Sequence, residues 1–159
     1  MKKTNQLESD LNKINLNLRK KGTAIILKKA VPITATANGL IAQSSTVDYD
    51  GLVKSGLFIA YDAKECQSKT SFPLSNIKQH QTNYLEAVFN LGGFAFFVIH
   101  MKAINKYYLV PVTAVLKVLQ TDKKSIPVSD FKAEWECSNL TEYLESILKN
   151  ESIYRNTYN

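Results

Sequence analysis

Apolar residues recur at spacings of three and four from Leu7 through Leu11 and Ile14 to Leu18, which predicts an amphipathic helix over Asn5 to Lys20 that Gly22 stops. The β-rich run within Thr23 to Lys28 suits a first sheet strand. Pro32 then interrupts, Thr34 to Ala37 favours extended chain, and Asn38-Gly39 marks a turn. Val47 to Val53 and Leu57 to Lys64 both read as strands. Between them, Lys54-Ser55-Gly56 has the length and the terminal glycine of a three-residue hairpin loop. A helical stripe of Leu74, Ile77, Tyr84, Leu85 and Val88 follows, within a helix over Leu74 to Leu91, and the amide of Gln81 falls inside that stripe. Gly92-Gly93 ends it. Phe94 to Ile99 is apolar enough for a strand buried on both faces. Tyr107 to Val110 is another strand, closed by Pro111, and Val112 to Gln120 another helix with Val115, Leu116 and Leu119 inward. A short acidic helix over Leu140 to Leu148 comes last. The order predicts an α/β fold, a mixed sheet flanked by helices.

Charge divides this pattern in two. Residues 1–125 hold 17 basic and 8 acidic side chains, whereas 126–159 hold 3 and 6. The expected organisation is a basic body over 1–125 and an acidic carboxy-terminal extension over 126–159, packed on or trailing from the same domain. A length of 159 residues and 45% apolar content suit one folded core. A basic body suits a polyanionic partner, and nucleic acid is one such class. No apolar run approaches the ~20 residues that span a membrane, and no signal-peptide core follows the charged start, so a cytoplasmic location is expected. Cys66 and Cys137 match no metal knuckle or disulfide framework.

The hairpin loop fixes a register. If Val53 faces Leu57, each outward step keeps the paired numbers summing to 110, so Asp48 lies across from Asp62 and Thr46 across from Lys64. Directly opposed residues have Cβ atoms about 5 Å apart on one face, and the period of two puts Lys64 on Asp62's face. Two carboxylates at that distance repel. A divalent cation between them removes the repulsion, and oxygen ligands suit Mg2+ or Mn2+.

An acid, then Asp62-Ala63-Lys64 after a turn, resembles the PD-(D/E)xK nucleases. The wider series is similar to RecU-type Holliday-junction resolvases: Gln43 to Gly51, then Asp62 to Glu65, Lys69 to Leu74, and His80-Gln81. The resemblance covers roughly residues 7–118. It implies a restriction-endonuclease-like fold with the nuclease domain in 1–125, and metal-dependent hydrolysis of phosphodiesters in four-way junctions or other branched DNA, leaving a 5′-phosphate. Asp48, Asp62 and the backbone carbonyl of Ala63 would hold Mg2+, with Mn2+ as a substitute. Lys64 would orient the attacking water. Glu8 is a candidate third acid, with a solvated helix-start glutamate as the plainer alternative. Gln81 is a candidate for positioning water or phosphate, with a core amide bonded to backbone as its alternative. Asp50 shares Asp48's face but reads more simply as a turn-proximal charge, and Glu65 points to the opposite face. Ser45, Thr46, Lys69, Thr70 and Lys78 are the candidate DNA contacts, although the hydroxyls of Ser68 to Ser71 would equally cap a helix. Two symmetric cuts imply a homodimer, with the first helix and the Lys102 to Tyr108 region as possible contact elements. The segment between the first strand and Asp48, where such resolvases carry a junction-entering stalk, is short here. A same-fold nuclease on other DNA and a non-catalytic DNA-binding accessory protein are the alternatives.

Overall fold

The computed structural model describes residues 5–43 and 46–150. The first helix, α1 (Gln6–Lys20), buries the predicted stripe Leu7, Leu11, Ile14 and Leu18. Asn5 caps it, its side chain accepting from the Glu8 N–H at 2.8 Å. One polar residue joins the buried face: Asn15 exchanges hydrogen bonds of 2.9 and 3.2 Å with the Tyr61 hydroxyl. Burying that amide without a partner would cost about 1–3 kcal/mol, so the two residues stabilise each other's burial.

The strands β1 (Ala24–Lys28), β4 (Tyr49–Val53), β5 (Phe58–Cys66), β7 (Phe94–Met101), β8 (Lys106–Pro111) and β10 (Glu136–Cys137) form one mixed sheet in the order β1-β4-β5-β7-β8-β10. Only the central β5–β7 pair is parallel; the other neighbours run antiparallel. The expected register holds, with Tyr49 opposite Tyr61 and Leu52 opposite Phe58. Gly56 closes the loop at φ +89, a conformation a side chain resists. Gly51 answers a different need. A Cβ built there would lie 2.0 Å from the Ile25 carbonyl oxygen, so only glycine lets β1 approach β4 this closely.

The segment after β1 forms a separate two-stranded hairpin, β2 (Ile33–Thr36) with β3 (Gly39–Ala42), exposed along its whole length. Its extended chain and its turn at Asn38 follow the sequence expectation. The stripe expected as one helix is broken. A 3₁₀ turn covers Leu74–Asn76, Ile77 and Lys78 are extended, and α2 (Gln79–Asn90) begins only afterwards. The break has a local cause: the Gln81 side chain accepts from the Lys78 N–H at 3.0 Å and so starts the helix there. In α3 (Val112–Leu119), Val112 and Val115 are buried and Leu116 packs against the core, but Leu119 is 42% exposed, contrary to expectation.

The acidic extension packs on the sheet. β9 (Ser125–Pro127) pairs with β6 (Ser71–Pro73), burying Phe72 and Ile126 against each other's strands. β10 adds the sixth strand beside β8, and Phe131 and Trp135 are buried next to it. The leucines of α4 (Leu140–Lys149) enter the same core, and Lys21 ties that helix to the end of α1 through Glu145 at 2.8 Å. Among the described residues, no helix is long and apolar enough to cross a membrane.

Candidate active site

Backbone pairing of β4 with β5 ends at Tyr49–Tyr61. One step further the side chains take over the ladder's work. The Asp48 N–H donates to Asp62 Oδ1 at 3.1 Å, and the Ala63 N–H donates to Asp48 Oδ2 at 2.9 Å. Each aspartate therefore satisfies a backbone donor on the opposite strand. That cross-bonding fixes both carboxylates at the end of the hairpin while leaving each a second oxygen.

Lys64 and Gln81 complete the arrangement. Lys64 Nζ lies 2.7 Å from Asp62 Oδ2 and donates to Gln81 Oε1 at 3.0 Å. Gln81 Nε2 donates to Asp62 Oδ1 at 3.1 Å. The two possibilities for Gln81 are thus decided by its partners. It is no buried core amide; it bridges the acid and the lysine while its oxygen also starts α2. Asp62 is fully buried, yet Oδ2 has no aligned hydrogen bond despite the nearby ammonium. Charge pairing with Lys64 holds that contact.

The electrostatics agree with the geometry. Burial pushes the Asp62 carboxyl up to about 6, the neighbouring Asp48 charge pushes it further the same way, and Lys64 opposes both. A buried acid beside a second acid holds its charge at a cost that a cation would remove.

The other expected residues divide. Glu8 does not join the two aspartates in this arrangement. Lys28 holds its carboxylate at 2.5 Å, its carbonyl accepts from the Tyr49 hydroxyl, and no three His, Cys, Asp or Glu side chains converge as metal ligands among the described residues. Glu65, on the opposite face as expected, accepts from the Leu7 N–H at the start of α1 and pairs with Lys102. Asp50 is no free turn charge: it accepts from both Lys29 and Tyr84. Thr46, Lys69, Thr70 and Lys78 are all exposed. The Ser68 hydroxyl oxygen accepts from the N–H groups of Thr70 and Ser71, so it caps a turn. Ser45 lies outside the described residues. Sequence reasoning missed Lys29 and read Tyr84 only as part of the buried stripe, because nothing in their spacing announces a shared partner on β4.

These donors fit a small hard cation. Mg2+ is commonly bound through one or two carboxylates with water and substrate oxygens completing the shell, and two anchored aspartates with one unaligned buried oxygen meet that description. Ala63 adds backbone at the same strand edge, since the N–H and C=O of a strand residue point to one side.

A helix-flanked mixed sheet whose hairpin sets an aspartate against Asp-Ala-Lys defines a protein of the PD-(D/E)xK nuclease class. Within that class the placement is specific. The family model for Recombination protein U matches residues 2–149, and the chain belongs to the RecU family. It is 31% identical to the Holliday junction resolvase RecU of Pediococcus pentosaceus over 164 aligned positions, which span 90% of this chain and 81% of that one. It is 36% identical to the RecU of Oceanobacillus iheyensis, over 76% of this chain and 69% of that one. The fold is similar to that of Hjc, a Holliday junction resolvase from Archaeoglobus fulgidus, with a TM-score of 0.47 and 15% identity, over 79% of this chain and 89% of that one.

Proposed function

We propose that the protein is a structure-selective endonuclease that hydrolyses phosphodiesters in four-way DNA junctions during recombination or repair, using Mg2+, or Mn2+ in its place, held by Asp48, Asp62 and the Ala63 carbonyl. The observation that carries this reading is the cross-bonded aspartate pair with Lys64 against it, in a chain of the RecU family. A phosphodiester repels hydroxide, so its cleavage needs positive charge near the non-bridging oxygens and an activated water in line with the leaving group. A bound Mg2+ would supply that charge and make a nearby water more acidic, with Asp48, Asp62 and the Ala63 carbonyl as the groups that would hold it.

The chain's own residues do the rest. Asp48 and Asp62 each keep one oxygen on a backbone N–H, so neither must reorganise to offer the other. Lys64 orients the attacking water and offsets charge as it develops. Gln81 bonds both Lys64 and Asp62 and keeps the two in one geometry. Lys69 and Lys78, with the hydroxyls of Thr46 and Thr70, contact phosphates along the strand being cut, and such contacts position the substrate without reading its sequence. Glu8 serves as partner to Lys28 unless DNA draws that lysine away, in which case its carboxylate becomes free. Two symmetric cuts require two such sites, hence a homodimer working on DNA in the cytoplasm.

The test is incubation with a labelled four-way junction, a replication fork and a linear duplex, with and without Mg2+. Symmetric, Mg2+-dependent junction cuts are expected, and Asp48→Asn should bind the junction without cutting it. Cuts confined to the fork or the duplex would replace the junction reading with a nuclease for other DNA. Binding with no cuts on any substrate would leave an accessory DNA-binding protein.

A further inference from the structure

We propose that Lys29, Asp50 and Tyr84 form a positioning cluster that locks the root of the β2–β3 hairpin to β4, the strand that begins next to Asp48, so that the placement of the hairpin root sets the placement of the Asp48 carboxylate. The proposal deepens the functional reading above, because it takes Asp48 to be a metal-holding acid.

The connectivity makes the coupling direct. Lys29 is the last residue tied to the sheet before the chain leaves for the hairpin, and its N–H donates to the Asp48 carbonyl at 2.7 Å. The two legs of the hairpin are joined by the Gln43 N–H on the Pro32 carbonyl at 2.8 Å, so the returning leg is tied to the outgoing one that Lys29 anchors. The root of this exposed element therefore meets the site at Asp48 through Lys29. Backbone bonds alone would leave that junction free to pivot.

The side chains restrain the pivot. Asp50 sits two residues along from Asp48 on the same face, and its Oδ2 accepts from Lys29 Nζ at 2.8 Å and from the Tyr84 hydroxyl at 2.9 Å. The Lys29 ammonium also lies 5.8 Å from the centre of the Tyr84 ring. Tyr84 is one helical turn from Gln81 on α2, so the helix touches the acid-bearing strands at two places, Gln81 on Asp62 and Tyr84 on Asp50. The hairpin root, β4 and α2 thus converge on a single carboxylate oxygen. Neither end of the cluster reaches the reacting atoms; it acts through Asp48.

The experiment compares the full chain with Asp50→Asn, which keeps the shape and loses the charge, with Lys29→Arg, which keeps the charge, and with a variant whose residues 33–42 are replaced by a Gly-Ser linker. Four quantities are read: Mn2+ affinity without DNA, single-turnover junction cleavage, melting temperature, and hydrogen exchange of the Lys29 amide by NMR. Asp50→Asn is expected to lower the cleavage rate and the Mn2+ affinity by about tenfold each, the scale of a sub-ångström misplacement. Its Lys29 amide should exchange faster while its melting temperature stays within a few degrees and junction affinity is unchanged. Lys29→Arg should keep near-parental values, and Asp50→Asn should cost nothing further in the linker variant. Unchanged Mn2+ affinity and Lys29 exchange in Asp50→Asn would overturn the proposal, as would an equal loss with and without the hairpin. A parent chain that neither binds Mn2+ nor cuts would refute the metal site instead, and Lys29 exchange alone would then judge whether Asp50 holds the hairpin root.

Discussion

Asp62→Asn should make the metal-free protein more stable at pH 8 while abolishing cleavage. In the fold the Asp62 carboxyl sits at about 6, against 3.8 for an ordinary aspartate, because burial and the Asp48 charge both disfavour its ionised form. A group whose folded value is raised adds stability below its unfolded value and loses it as pH rises through the folded one. Below about pH 4 the aspartate is protonated in both states and the substitution changes little. Above about pH 6 the native protein carries a buried charge that the asparagine does not. The separation of about two pH units, at ~1.4 kcal/mol each, amounts to about 3 kcal/mol. Asparagine keeps an acceptor for the Asp48 N–H and for Gln81, but it gives Lys64 no charge, so a net gain of about 1–3 kcal/mol is expected. Urea unfolding at pH 4 and pH 8 measures it, and with a slope of about 2 kcal/mol/M the midpoints should coincide at pH 4 and differ by roughly 0.5–1.5 M at pH 8. Mg2+ should raise the native midpoint at pH 8 and move that of the variant much less, since only the native pair offers two charges to it. A variant less stable than the native chain at pH 8, or a gap that ignores pH, would refute the claim that Asp62 is held charged against its burial.

Three further outcomes follow from single contacts. Gln81→Leu should lower junction cleavage by about 10²-fold with junction affinity unchanged, because Lys64 and Asp62 lose their shared partner; single-turnover rates against a binding isotherm separate the two. Gly51→Ala should destabilise by more than ~2 kcal/mol, since its Cβ meets the Ile25 carbonyl at 2.0 Å and backbone must move; thermal unfolding reads it. Asn15→Leu should cost about 1–3 kcal/mol by orphaning the buried Tyr61 hydroxyl, and adding Tyr61→Phe should recover much of that loss; a double-mutant cycle in urea shows whether the two changes are coupled.

What could be read from the chain beforehand was whatever a local rule determines. A three-residue loop ending in glycine dictates a register, and that register alone predicted that Asp48 faces Asp62. Helical spacing likewise revealed α1, and an uninterrupted apolar run revealed β7. The missed features depend on partners distant in sequence. β6 and β9 each contain a proline, Pro73 and Pro127, a residue depleted in strands; both sit at strand ends where a missing N–H costs little. β10 is a two-residue strand whose pairing with Tyr107 and Tyr108 leaves no periodic trace. The break before α2 also eluded the pattern, because Leu74 and Ile77 are buried as a helical stripe would have them while the backbone between is not α-helical. Gln81 was visible as an oddity, an amide among apolar positions, yet only the fold could say that its partners are Asp62 and Lys64.

The site is preorganised by the same bonds that end the sheet. Where β4 and β5 stop pairing, two backbone N–H groups would be left facing one another's strands without acceptors, and buried donors are seldom left that way. Asp48 and Asp62 supply those acceptors with one oxygen each, so the chain gains local satisfaction and a fixed carboxylate pair from one pair of residues. Glutamines or asparagines could satisfy the donors equally well, but they would not carry charge. The folding of the hairpin alone therefore does not call for two acids with Asp62 wholly buried, whereas the metal-holding role proposed above does. Lys64 provides a covalently tethered countercharge for the pair in the absence of a cation, and Gln81 gives that lysine a neutral anchor at 3.0 Å that persists when the charge of Asp62 is otherwise engaged. A lysine with both anchors can yield Asp62 to another cation and still remain beside it, which is the placement a water-orienting amine requires.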